Sequence, residues 1–379
     1  MHMADALLSP AVGGSLWAVS AATIGWCSKK VKDQLDERKV PLMGVLGAFL
    51  FAAQMINFSI PGTGSSGHLG GGLLLAVLLG PPAAFLTIAS VLVVQALFFA
   101  DGGLLALGCN IFNLGFFPAF VAYPLIYCKI AGQRPSPLRL TVATILAAVV
   151  GLQLGALGVV VETLASGISS LPFSTFVLFM QPIHLAIGII EGVVTAAIIS
   201  FVYRARPDLL DRSVPAAARQ PLRKLLLVFL SGALLTGGVL SWFASKDPDG
   251  LEWALARASG KEELQGPGQG VHAALADLQG RIAILPDYAF PKDDAGSASL
   301  AGGQVAMEAN VESRLGSSVA GIVGGLITLL LAFLIGFLLK RSVHPAPARS
   351  DGSPPDGFPV RRLSCVQCSP SAPRSSSWV

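Results

Sequence analysis

The chain has 379 residues, of which 53% are hydrophobic and 13% charged, whereas soluble domains carry about 25% charged residues. That balance excludes a water-soluble globular protein. Its net charge of +4 sits largely in Lys and Arg clusters flanking apolar stretches, a mark of membrane topology that implies no nucleic-acid partner.

The N-terminus, MHMADALLSP, contains no Lys or Arg, so it lacks the basic region of a cleavable secretory signal. Met1 is expected to be the mature first residue, because the bulk of His2 disfavours its removal. Apolar segments follow at 8–27, 41–58, 69–80, 82–100, 104–128, 140–161, 180–203, 225–243 and 318–339. A crossing helix needs roughly 20 apolar residues, so these predict an all-α polytopic membrane protein with about nine transmembrane helices. The segment 69–80 would be only about 18 Å long as a helix. Counting it as a crossing nevertheless places three basic clusters, at 29–39, 129–139 and 204–224, on one side of the membrane, as cytoplasmic loops require.

The same parity puts the N-terminus and the 59–68 loop outside and the C-terminus in the cytoplasm. Along the chain it gives seven spans within 1–205, a cytoplasmic linker (206–222) and two further spans within 223–340, whose 244–317 portion lies outside. Residues 341–379, rich in Pro, Ser and Arg, read as a disordered cytoplasmic tail. Cys27, Cys109 and Cys128 fall in or beside apolar segments and read as buried thiols. Cys365 and Cys368 form a single CxxC in the tail, weak evidence for a metal or redox site.

The chemistry concentrates at the outer face. The α-amine of Met1, the amide nitrogen of His2 and the His2 imidazole Nδ1 can close a five-membered and a six-membered chelate ring around one metal ion. Square-planar or tetragonal nitrogen coordination is diagnostic of Ni²⁺ or Cu²⁺, and since affinity alone favours Cu²⁺, geometry and availability must choose the ion. His68 is the candidate fourth ligand. It lies in SIPGTGSSGHLGGG, where six glycines between 62 and 72 allow close backbone approach and positive φ. The loop lacks the GK[ST] ending of a phosphate-binding loop.

Polar groups inside spans are costly and usually functional or paired, which singles out Gln54, Asn57, Asn110, Asn113, His184 and Glu191. Of these, Asn57, His184 and Glu191, together with Asp101 in an outer turn, are candidates for the shell that orients ligating imidazoles. Helix packing is the competing reading for His184 and Glu191, and a helix cap for Asp101. No Walker motif, Ser/His/Asp arrangement or HExxH occurs, so ATP hydrolysis by a familiar route is excluded. The competing function classes are a passive divalent-metal channel and a membrane electron-transfer protein.

MH at the start, INFSIPGTGSSGHLGGG, DGGLLALGCNIFNLG and QPIHLAIGIIEG together resemble the CbiM/NikM family, the substrate-capturing membrane component of energy-coupling-factor cobalt and nickel transporters, over about 1–205. The segment from about 222 to 340, whose outer loop begins DPDGLEWAL, is similar to the small PDGLE-type accessory component of those transporters. The resemblance implies ligation of Ni²⁺ or Co²⁺, as substrate, by the Met1 amine, the His2 amide and imidazole, and the His68 imidazole. It implies no permanently bound cofactor and no enzymatic activity of the chain's own. The implied partners are a membrane coupling (T-type) protein and cytoplasmic ATPase subunits in the inner (plasma) membrane, serving cobalamin synthesis or nickel enzymes. Ala6 stands where the family commonly has glycine in MHxxDG. The outer segment is expected to have a coupling role and no metal site, because its one histidine, His272, has no second imidazole or thiol nearby in sequence.

Overall fold

Helices take up most of the apolar segments. The computed structural model describes residues 2–34, 39–132, 135–169, 171–210, 221–261, 264, 266–290 and 304–341; the Met1 amine, the CxxC pair and the expected tail lie outside them. In chain order the elements are α1 (Pro10–Gln34), α2 (Lys39–Gln54), β1 (Phe58–Ile60), β2 (Ser65–Gly67), α3 (Gly72–Leu79) and α4 (Pro81–Phe99). Helix α5 (Leu107–Ala131) follows, then α6 (Pro137–Ser166), α7 (Phe173–Ala205), α8 (Arg223–Gly238), α9 (Gly250–Ser259), α10 (Val271–Ile282) and α11 (Gln304–Arg341).

By length and hydropathy, α4, α5, α6, α7 and the Ser313–Lys340 stretch of α11 can each cross a bilayer. The chain is a multi-pass membrane protein. The 69–80 segment, expected as a short crossing, holds an eight-residue helix, α3, between Gly71 and Gly80, both at positive φ. At 1.5 Å per residue it is about 12 Å long, and every residue in it is buried. Within α5 the 112–127 stretch winds as a π-helix. Pro118 and Pro124 lie inside it, and neither can donate a backbone N–H.

The glycine-rich loop folds as a β-hairpin, a feature its composition did not announce. Strands β1 and β2 pair antiparallel, Phe58 opposite Gly67 and Ile60 opposite Ser65, around a turn in which Gly62 and Gly64 take φ of +77° and +69°. The return strand delivers His68 directly after β2.

The accessory helices join the bundle by small-residue contacts, as lipid-embedded helices do. A Cβ on Gly237 of α8 would sit 3.1 Å from the Gly321 backbone of α11, which packs the two accessory helices together, and one on Gly44 of α2 would sit 2.9 Å from the Leu329 carbonyl of α11, which packs them on the bundle.

Candidate metal centre

The N-terminal residues are threaded into the end of the bundle that carries the β-hairpin. Met3, Leu7 and Leu8 are fully buried, each worth about 1.5–3 kcal/mol relative to exposure to water. The Asn110 side chain of α5 clamps the main chain at Met3, accepting from its N–H (2.8 Å) and donating to its carbonyl (3.3 Å). Gly103 N–H donates to the same carbonyl at 3.0 Å. Asp5 Oδ1 accepts from Ala106 N–H at 2.9 Å. A Cβ on Gly103 would fall 1.8 Å from that oxygen, so the glycine is what lets Asp5 sit there. Ala6 lies in a short 3₁₀ turn, Asp5–Leu7, and is not among the residues at positive φ; the turn accepts alanine without strain.

This threading brings His2 against His68. The two rings lie parallel, 5° apart in tilt, with centroids 4.9 Å apart. His68 Nδ1 lies 3.2 Å from the Leu69 carbonyl; a carbonyl only accepts, so Nδ1 carries the hydrogen and Nε2 the lone pair. Burial pushes the His68 pKa down to about 3, keeping the ring neutral at physiological pH, the form that ligates metals.

His2 Nδ1 stands 3.0 Å from Asp101 Oδ1, and His2 Nε2 is buried with no hydrogen-bond partner among the described residues. Asp101 therefore acts on His2, and the helix-cap reading does not describe it. Burial raises the Asp101 carboxyl, but the adjacent His2 imidazole more than offsets this and the group is held below the usual carboxylate range. For Asp249, burial likewise raises the carboxyl, while the positive N-terminal amine first, and then the His68 imidazole and the Glu252 N–H, bring it below its ordinary value. Two carboxylates thus stay anionic beside the imidazole pair, a field that favours a cation. No three His, Cys, Asp or Glu side chains form a metal cage among the described residues.

The other candidate residues do different things. Glu191 of α7 does not face an imidazole: its oxygens accept the N–H groups of Gly70 (3.0 Å) and Gly71 (2.9 Å), fixing the backbone that follows His68. Gln54 donates to the Gly70 carbonyl at 3.0 Å and accepts from Gln95 at 3.0 Å, tying the same loop to α2 and α4. His184 Nδ1 donates to the Met180 carbonyl at 2.8 Å, leaving Nε2 buried without a partner among the described residues. Asn57 meets the accessory segment through its carbonyl, which accepts from Ser245 N–H at 2.7 Å.

Residues outside the expected set complete the site. Asp249 caps α9, accepting from Leu251 and Glu252 N–H at 2.8 and 2.9 Å. Just before it, the Pro248 carbonyl accepts from Ser66 N–H at 2.8 Å and the Asp247 carbonyl from Ser66 Oγ at 2.7 Å. The accessory segment thus docks along β2, next to His68. His272 Nε2 donates to the Leu8 carbonyl at 2.8 Å, and Tyr288 donates to Asp101 Oδ2. Asn110 and Gln54 carried a signal, polarity inside an apolar helix; Asp5 carried only its place in the MHxxDG pattern, and Tyr288 none.

Residues 2–209 match the family described as the cobalt uptake substrate-specific transmembrane region, and residues 223–341 match the PDGLE domain. A Haloquadratum walsbyi protein named for metal transport is 36% identical over 209 residues, covering 55% of this chain and 93% of its own length. The fused nickel transport protein NikMN of Rhodobacter capsulatus is 32% identical over 313 residues, 76% of this chain and 88% of that one. The cobalt transport protein CbiM of Sorangium cellulosum is 31% identical over 219 residues, 56% and 95% of the two chains.

Proposed function

This chain belongs to the cobalt uptake substrate-specific transmembrane family, continued by a PDGLE domain, and we propose that it captures Ni²⁺ or Co²⁺ at the outer membrane face for import. The observation that carries the proposal is the meeting of His2 and His68, 66 positions apart in sequence, as parallel buried rings 4.9 Å between centroids, with a carboxylate on His2.

The ion is held by the Met1 amine, the His2 amide nitrogen and Nδ1, and His68 Nε2. Chelation through His2 Nδ1 requires that ring to turn about its Cβ–Cγ bond, because Nδ1 now faces Asp101. The turn carries Nε2–H to the Asp101 side, giving the carboxylate–imidazole–metal arrangement common to ligating histidines. Asn110, Asp5 and Gly103 hold the main chain of the chelate, while Glu191 and Gln54 hold that of His68. Deprotonating an amide favours Ni²⁺ on ligand-field grounds, and relatives are named for nickel and for cobalt alike.

The chain has no nucleotide-binding motif, so we assign the driving force to separate cytoplasmic ATPase subunits acting through a membrane coupling protein. Nine crossings, with the chelate outside and the 206–222 linker inside, complete the arrangement. The test is ⁶³Ni uptake by cells expressing the chain with its ATPase partners. Uptake should require ATP hydrolysis and be lost in His68→Ala; uptake that persists with inactive ATPases would mark a passive pore and overturn the proposal.

A further inference from the structure

We propose that Tyr288, in the accessory segment, is a positioning residue for the His2 ligand and acts through Asp101, an inference that rests on the metal-capture reading above. Asp101 divides its two oxygens between partners: Oδ1 faces His2 Nδ1 at 3.0 Å and Oδ2 accepts from the Tyr288 hydroxyl. In the turned, chelating ring it is Nε2–H that Asp101 receives, and a carboxylate so bonded fixes the orientation of the imidazole and raises its basicity as a ligand. The carboxylate can do so only if its own rotation is stopped, and the Tyr288 hydroxyl stops it.

The surrounding backbone is built to deliver that hydroxyl. Helix α4 ends at Phe99, just before Asp101, with carbonyls that have no partner within the helix. Residues of the accessory segment supply donors. Gln279 Nε2 reaches the Ala96 carbonyl (2.9 Å) and the Gly102 carbonyl (2.8 Å), and Ile284 and Leu285 N–H both reach the Phe98 carbonyl (2.9 and 3.2 Å). The Tyr288 ring stacks on Phe99, centroids 5.1 Å apart at 18°. Three non-glycine residues adopt positive φ among the described residues, and all three flank this contact: Ala100 at 52°, Asp287 at 50° and Tyr288 at 58°. Left-handed backbone at non-glycine residues is costly and gathers where a side chain must be aimed. Here it aims Asp101 from one side and Tyr288 from the other.

The experiment is calorimetric titration of the purified full-length chain with Ni²⁺ alone, comparing wild type, Tyr288→Phe, Asp101→Asn and the double variant. Phenylalanine keeps the stack on Phe99 and deletes only the hydroxyl. Tyr288→Phe should weaken binding about 10-fold and Asp101→Asn up to about 100-fold, the range for partners of ligating histidines. In the Asp101→Asn background the Tyr288 change should have no further effect. The ligand-field absorption of bound Ni²⁺ should shift in Tyr288→Phe at saturation, with the metal-free unfolding temperature unchanged. Wild-type affinity and spectrum in Tyr288→Phe, or a full additional loss in the double variant, would overturn the inference and leave metal capture standing. A wild-type chain that binds neither Ni²⁺ nor Co²⁺ would instead remove the functional reading, and this inference with it.

Discussion

Two carboxylates near the His2–His68 pair serve by different means. Asp101, whose side chain retains 24% exposure, meets an imidazole directly. Glu191, buried in α7, meets two main-chain N–H groups of the loop that carries His68. Glu191→Leu would strand both donors in an apolar surround, at about 1–3 kcal/mol for each. It should lower the unfolding temperature in detergent and weaken Ni²⁺ binding together, which calorimetry and a thermal scan would show. An Asn110→Leu variant removes both hydrogen bonds to Met3 without disturbing either histidine. It should keep the unfolding temperature closer to wild type than Glu191→Leu does while reducing Ni²⁺ affinity; undiminished affinity would contradict the clamp. At this scale the sequence disclosed the imidazoles, since a histidine at position 2 and another among glycines are visible by position alone. It did not disclose what each carboxylate touches. His184 and Glu191 lie seven residues apart on one helix face and read as a pair, yet one serves α7's own carbonyl and the other a loop more than a hundred residues earlier.

The PDGLE run illustrates how a short motif follows from local physics. Asp249 accepts N–H groups at the start of α9, and Glu252 returns the favour by accepting from Asp249 N–H at 3.0 Å, closing a capping box. Pro248 offers its carbonyl to β2, and Leu251 is buried. Gly250 is required by proximity: a Cβ there would lie 2.8 Å from Ile187 Cδ1 and 3.1 Å from His184 Cε1. Gly250→Val should therefore lift α9 from α7 and β2, costing about 1–3 kcal/mol as overpacking does, and expose the 244–260 segment to added protease. Unchanged proteolysis would contradict this packing. The capping signature was legible in sequence, because its residues are three apart. The β-hairpin was hidden, since Gly62 and Gly64 advertise a turn while strands of three residues, FSI and SSG, are too short for the alternation that marks a strand.

For the whole molecule, composition and hydropathy sufficed for the membrane class, while the basic clusters give an inside and an outside as an expectation. What they did not reveal is that the accessory segment contacts the surroundings of the His2–His68 pair, because those contacts join residues such as Leu8 and His272, or Asp101 and Tyr288, that sequence places far apart. Topology is open to direct measurement. Single cysteines at Lys261 and Ser213, in a chain otherwise free of thiols, should react with an impermeant maleimide in opposite settings: position 261 in intact cells, position 213 only after the membrane is opened. The reverse pattern would put the histidines on the ATP side. The central claim is tested most directly by adding a removable tag before Met1 and measuring Ni²⁺ affinity by calorimetry before and after the tag is cut away to leave methionine first. The account predicts that the tagged chain loses tight binding and the trimmed chain regains it; equal affinity in the two forms would show that the Met1 amine is not a ligand.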